Sequence, residues 1–415
     1  MYTVIPIFKD PNLHPLHKNN GLSALWCQPE SAEEPFFIIE KHPDSDKFME
    51  DYKWLDEEFI ITPDKKLLNH FYEFKDVVDK NFIWWNETGK PFDNNIRNNA
   101  IDFLSNKFYN VKKLNEIIPL SKHNEYCSDV YKEMARAYTG ENDEYMNDAI
   151  KAFGSIERNG VKVSDDVCDI FDIRVKKHIS DGKLYSNYNL WTTTGRPSNS
   201  FGTVNFAALP TEKRKAIIPE NDSLVEFDFD AYHLRLIAGL VGYHTFDKES
   251  VHEHLAKWYE CSYEESKQKT FRLLYGGIDK KTREKVPFFD LTHKYINEKW
   301  NEINTHNCVF TDIYRRKLLF KNYEDLNRNK LFNYLIQAYE TESNIKKILL
   351  IQDYLYNKKT KLVLYGYDSF LFDFSQQDGV ETLKDIKSIL EENKHYTKSK
   401  MGLNYGDMKD ITKRL

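Results

Sequence analysis

The sequence predicts a chain of mixed class, α/β at its start and α+β through its larger C-terminal part. Three observations carry this. Short apolar runs broken by turn residues fill residues 1 to about 95, and apolar residues at helical spacing dominate 96–182. From Lys183 onward strand pairs alternate with long helices, as in the helix Leu331–Tyr356 followed by a hairpin over Leu362–Phe374.

Within the first part, Leu22-Ser-Ala-Leu-Trp-Cys27 and Phe36-Phe-Ile-Ile-Glu40 read as paired strands around the polar loop Pro29–Pro35. Phe48–Leu55 and Lys65–Phe74 have helical spacing, with Phe59-Ile-Ile61 as a strand between them. In the second part Ile101, Leu104, Phe108 and Val111 share one face, as do Val130, Met134, Ala137 and Tyr138. Between Ile156-Glu-Arg-Asn-Gly160 and Gly195 only about 35 residues remain, too few for a long helical hairpin with its connections. No repeat, low-complexity tract or clean linker divides the chain.

The 415 residues are 40% hydrophobic and 14% aromatic, enough for two or three domains with cores of their own. A net charge of −6 gives no global basic field, which weighs weakly against a nucleic-acid partner because positive charge can be confined to a cleft. The five cysteines, Cys27, Cys127, Cys168, Cys261 and Cys308, are scattered and contain no CxxC pair. That disfavours a zinc site or a disulfide framework and suits a reducing compartment. Met1-Tyr-Thr-Val-Ile-Pro-Ile-Phe-Lys9 lacks the charged and apolar regions of a signal peptide, and no apolar run approaches the ~18 residues of a membrane span. The expectation is a soluble, cytoplasmic protein with no membrane partner.

Two segments carry the chemistry. Glu226-Phe-Asp-Phe-Asp-Ala-Tyr-His-Leu-Arg235 places Asp228 at the end of an apolar strand that runs into a helix. A lone Asp there is more often an N-cap, but Asp230 is the better cap candidate, which leaves Asp228 without a structural role. Leu364-Tyr-Gly-Tyr-Asp-Ser-Phe-Leu-Phe-Asp373 is a hairpin with Asp368 in its turn, where Asp is common on its own account. Together the two offer hard oxygen ligands from separate elements, as Mg²⁺ prefers. Between them, Lys267, Phe271 and Tyr275 recur every four residues on a predicted helix and share one face. Taken alone, that helix is more often ordinary and amphipathic; opposite two carboxylates, it supplies a cation for a triphosphate and a ring for a base.

In combination these segments resemble the family A DNA polymerases, the group of bacterial DNA polymerase I, in order from about Asp148 to Leu415. Ile156-Glu-Arg-Asn-Gly-Val-Lys-Val163 is similar to the family's lead into the polymerase domain. Lys183-Leu-Tyr-Ser-Asn-Tyr-Asn-Leu-Trp-Thr-Thr-Thr-Gly-Arg-Pro-Ser198, with Asn205-Phe-Ala-Ala-Leu-Pro210, resembles its primer-template motif. The resemblance implies a right-hand polymerase palm and fingers over 183–415, a helical connection and reduced thumb over 96–182, and a two-metal centre. It makes Asp228 and Asp368 the catalytic metal ligands for two Mg²⁺ ions, with Mn²⁺ tolerated. It assigns His233, His252, Lys267, Phe271 and Tyr275 to the nucleotide, and Arg196, Asn205, Asn333, Gln337 and Tyr367 to primer-template DNA. Residues 1–95 resemble the family's 3′–5′ exonuclease domain, an RNase H-like α/β fold, in degenerate form. Residues 1–20 hold no Asp-x-Glu, Phe82-Ile-Trp-Trp-Asn86 has no later Asp, and Asp64 reads as a surface or turn residue.

The departures matter too. His233 stands where the family usually has a Glu that, beside the Tyr275 position, excludes a ribose 2′-hydroxyl, which leaves sugar discrimination open. Tyr263 takes the place of a helix-leading Arg, and Tyr-Asp-Ser replaces His-Asp-Glu at Tyr367–Ser369, where Ser369 resembles the last residue of the His-Asp-Ser of related single-subunit RNA polymerases. The short interval before Gly195 implies that most of the thumb is missing, hence low processivity or a partner protein that grips DNA. The main reading is a DNA polymerase using dNTPs without proofreading. The others are the same fold with relaxed sugar preference, and a non-catalytic nucleic-acid-binding subunit of a replication complex. The compact form and the Lys/Asn/Tyr-rich composition fit a phage or virus with an AT-rich genome, and then the host cytoplasm.

Overall fold

The computed structural model describes residues 1–10, 13–31, 33–89, 118–135, 144–164, 173–199, 204–247, 250–319 and 325–415. Ile101, Leu104, Phe108, Val111, Ala137, Tyr138 and Cys168 lie outside these. The chain forms two compact units, Met1–Trp191 with Ser198–Ile218, and Thr192–Pro197 with Pro219–Leu415.

The first unit is built on a five-stranded sheet: β1 (Tyr2–Phe8), β2 (Leu22–Pro29), β3 (Phe36–Ile39), β4 (Ile60–Thr62) and β5 (Val77–Asp79). Its order is β3-β2-β1-β4-β5, antiparallel from β3 to β1 and parallel from β1 to β5. The expected pairing of β2 with β3 is present, with Trp26 opposite Phe37. β1 is apolar and buried on both faces, as a central strand requires. Val4, Leu25, Cys27 and Ile38 pack on one face, and Ile5, Ile7, Ala24 and Trp26 on the other with Cys127 of the helix Leu120–Ala135.

Two expected helices are shorter or absent. Phe48–Leu55 forms no α-helix; only a 3₁₀ turn, Lys53–Glu57, appears. Met49 and Glu50 instead send their N–H groups to the carbonyls of Glu40 and Ile39, and Glu50 Oε2 accepts the Ile39 N–H at 2.8 Å. With its backbone committed to the end of β3, the segment leaves Phe48 and Met49 in solvent. Lys65–Phe74 is helical only over Lys65–Leu68. Asp64, expected as a mere surface or turn residue, is its N-cap, accepting the Leu67 N–H at 2.9 Å.

Immediately beyond that helix, His70 turns inward. Glu157, near the end of the helix Glu144–Asn159, is fully buried and accepts from Lys66 Nζ (2.5 Å), His70 Nε2 (2.8 Å) and the Tyr188 N–H (2.6 Å). Burial pushes its carboxyl pKa up, but Lys66 and His70 outweigh that and hold it at about 2. One carboxylate thus ties three chain segments together.

The second unit is an antiparallel sheet with helices packed beside it. Strands run in the spatial order Lys361–Tyr365, Ser369–Phe374, Ser223–Phe229, Thr397–Gly402, Lys409–Asp410. The expected hairpin and long helix are both present, the helix spanning Arg328–Leu355 from an Asn327 N-cap. A separate apolar core gathers Leu234, Ile237, Leu255, Leu273, Phe288, Phe289, Phe332 and Ile336 from helices around Tyr232–Leu240 and Tyr263–Gly276. Of the described cysteines, Cys27, Cys127 and Cys308 are buried, and Cys261, just before the second of these helices, is partly exposed. No helix among the described residues is long and apolar enough to cross a membrane.

Glu157→Ala strands Lys66 and His70 and is expected to lower the unfolding free energy by about 3–5 kcal/mol at neutral pH. The Glu157 pKa is depressed from 4.5 to about 2, so its contribution is complete above pH 4.5 and is lost as pH falls toward 2. Denaturant titrations of both proteins should converge across that window.

Candidate active site

Strand Ser223–Phe229 is buried at every position except Asp228. Its neighbour Ser369–Phe374 runs antiparallel, with Ser369 opposite Asp228, and the Phe229 N–H bonds the Asp368 carbonyl at 2.9 Å. This register sets the Asp228 and Asp368 carboxylates at one end of the two central strands, both lining a cavity of about 470 Å³. Burial, then the charges of Asp368 and Glu226, push Asp228 up to about 6. Burial and then Glu340 push Asp368 up as well. Two half-buried carboxylates that each resist ionising in this way form an oxygen-rich donor set suited to a hard divalent cation.

Asp230 does not cap the next helix, contrary to the sequence expectation. Ala231, at φ 53°, occupies the N-cap without a side-chain bond. Asp230 instead pairs with Lys398 at 2.7 Å, and Arg235 lies 3.6 Å away.

Helix Tyr263–Gly276 forms a second wall. A Ser262–Glu265 capping box starts it, with the Ser262 N–H donating to Glu265 at 2.9 Å. Ser266, Thr270, Leu273 and Leu274 are buried, while Lys267, Phe271 and Tyr275 line the cavity as their spacing predicts. The Phe271 and Tyr275 rings lie nearly parallel, 6.2 Å apart at 10°. Lys267 makes no ion pair among the described residues. His252 and Tyr263 also line the cavity, their rings edge to face at 5.5 Å. Burial, with help from Lys267 and Lys398 and against Asp230, lowers the His252 pKa and favours the neutral ring.

A residue with no evident role in the sequence connects the remaining wall. Glu340, 1% exposed on the long helix, has Oε2 2.9 Å from Arg196 Nε and Oε1 3.2 Å from His233 Nε2. Both are close charge contacts short of hydrogen-bond alignment. His233 Nδ1 meets the Tyr275 hydroxyl at 2.5 Å, and the Arg196 guanidinium lies 3.9 Å from the centre of the Tyr367 ring. The available signal was a carboxylate three residues after Gln337, on the same face of the long helix.

Asn333 and Gln337 stand on that helix outside the cavity lining. Gln337 donates to Asn333 at 3.1 Å and accepts from Thr194 at 3.4 Å, two residues from Arg196. Asn205 belongs to the first unit, where it caps the turn Phe206–Ala208. Among the described residues, His14, His70 and Glu157 also group metal-binding side chains. The Lys66 ammonium and His70 Nε2 already occupy that carboxylate, and His14 Nδ1 takes the Leu16 N–H at 3.2 Å, leaving its Nε2 without a hydrogen-bond partner among the described residues. A divalent cation would meet buried positive charge, so the group braces the fold.

No protein-family model matches the sequence, and no curated protein matches it. Among solved structures the chain is similar to the POL domain of Pol1 from M. smegmatis, in complex with DNA primer-template and dNTP. The TM-score is 0.66 at 12% identity, covering 98% of this chain and 95% of that chain. The chain therefore has a polymerase-like fold of mixed α/β class.

Asp228→Asn tests the electrostatics. Its pKa is raised from 3.8 to about 6, so the neutral carboxyl favours the fold below pH 3.8 and that advantage is lost as pH rises through 6. The variant is expected to be more stable than wild type by on the order of 1–2 kcal/mol at pH 7.5, after discounting for partial exposure, and equal to it near pH 3.5. Thermal melts at the two pH values check this.

Proposed function

We propose that the protein is a template-directed DNA polymerase that adds deoxynucleotides to a primer 3′ end. The observation that carries this reading is the cavity in which Asp228 and Asp368 face Lys267, Phe271 and Tyr275. The fold likeness to a domain that binds primer-template and dNTP supports it. Asp228 and Asp368 would hold two Mg²⁺ ions, or Mn²⁺, which supply activation of the 3′-hydroxyl and neutralise the leaving pyrophosphate. Lys267 and His252 would meet the triphosphate, Phe271 would stack on the incoming base, and His233 and Tyr275 would flank the sugar. Arg196, with Tyr367, Asn205, Asn333 and Gln337, would contact primer-template DNA.

The N-terminal sheet order β3-β2-β1-β4-β5 supports an RNase H-like ancestry for residues 1–95. Its central strand β1 carries no carboxylate, and Asp64 and Asp79 are both helix N-caps. A two-metal exonuclease needs several free carboxylates, so the proposal includes no proofreading. Among the described residues between Gly160 and Gly195 the only helix is the four-residue Ile173–Lys176, which supports the reading that most of the thumb is missing from this interval of the 96–182 region, with low processivity without a partner protein. His233 favours a second reading, the same polymerase with relaxed sugar preference. A non-catalytic subunit is disfavoured by the retention of both cavity aspartates beside Lys267.

Extension of a labelled primer with Mg²⁺ and dNTPs tests the proposal directly. Asp368→Ala is expected to lower the rate by at least about a thousandfold, the loss of roughly 4 kcal/mol of transition-state stabilisation. Extension that survives in this variant, or is absent from folded, DNA-binding wild type with either metal, would reject it. With a DNA trap, wild type is expected to add only short tracts per encounter; long products would show that the missing grip is not limiting. A mismatched 3′ end is expected to persist, and its Mg²⁺-dependent removal would contradict the proofreading claim.

A further inference from the structure

Tyr275, His233 and Glu340 form one connected chain along the cavity wall. Burial pushes the Tyr275 pKa up to about 12, so its hydroxyl keeps its proton at neutral pH, and it lies 2.5 Å from His233 Nδ1. Across the ring, Nε2 lies 3.2 Å from Oε1 of the buried Glu340, whose second oxygen faces Arg196. Three side chains from three segments are thereby set by one buried acid.

The role of this wall rests on the nucleotide-binding reading of the cavity. Phosphates directed to Asp228, Asp368 and Lys267 and a base stacked on Phe271 leave the sugar between them, where His233 and Tyr275 stand. Nδ1 of His233 already meets the Tyr275 hydroxyl, and Nε2 lies against Glu340 Oε1 at 3.2 Å. Serving a 2′-hydroxyl would require the ring to turn, which would break the Tyr275 contact and move Nε2 off Glu340. We infer that Glu340 is the positioning residue for sugar selection: it locks His233 against Tyr275 so that the wall accepts a 2′-hydrogen and offers nothing to a 2′-hydroxyl. The carboxylate acts from behind the wall and does not touch the sugar. A buried hydroxyl left without a partner reduces use of a substrate by about 10- to 100-fold.

The test measures kcat/KM for dNTP and rNTP on one primed template for wild type, Glu340→Ala and Glu340→Gln, with thermal melts of each. Glu340→Ala frees His233 and is expected to lower the dNTP-to-rNTP ratio by about tenfold, chiefly through a lower KM for rNTP. Glu340→Gln fills the same volume without the charge and is expected to lower the ratio by about threefold. It decides the matter if the alanine variant does not fold. A merely structural role would reduce both substrates in parallel; an unchanged ratio with dNTP extension intact overturns the inference and leaves the polymerase reading standing. Wild type that extends with neither substrate overturns both.

Discussion

The pairing of strands Ser223–Phe229 and Ser369–Phe374 is the constraint on which the rest of the candidate site depends. Their register is set by apolar side chains buried along both, and a slip of one residue would turn every one of them to the opposite face. The register therefore cannot drift without unfolding the sheet. It fixes two carboxylates side by side where neither is comfortable ionised, so burial energy elsewhere in the strands holds together a pair that would separate on its own.

Around that pair, positive charge is placed by elements with different anchors. Lys398 lies directly opposite Asp228 in the sheet yet pairs with Asp230. Lys267 comes from a helix whose buried side belongs to another apolar core. Arg196 is held by a buried acid and an aromatic ring. A chain of net charge −6 thus places Arg196, Lys267 and Lys398 in a cavity lined also by Asp228, Asp230, Glu340 and Asp368, so charge is compensated locally by a few residues.

Much of this was legible in the sequence, for identifiable reasons. Apolar strands that end in Asp, a turn carrying Asp368 and a four-residue recurrence of Lys267, Phe271 and Tyr275 are periodic signals, and periodicity survives folding. What was not legible depended on contacts between distant segments. Phe48–Leu55 has helical spacing, but its backbone bonds to β3 instead. Asp230 has the chemistry of a cap, but a lysine on another strand takes it. Glu340 looks like one more charge on a long helix until His233 and Arg196 are brought to it. Each of these outcomes was decided by a partner far away in sequence, which no local pattern reveals.

The partly exposed Cys261 gives this architecture a practical handle. Cys27, Cys127 and Cys308 are buried, and burial pushes the thiol of Cys27 up to about 12, so these groups are poor nucleophiles toward added reagents. With Cys168 replaced by serine, a maleimide dye at Cys261 would sit one residue before the capping box of the helix that carries Lys267, Phe271 and Tyr275. Its fluorescence would follow that helix in real time while the strands bearing the carboxylates stay dark, so movement of the nucleotide wall could be timed separately from chemistry.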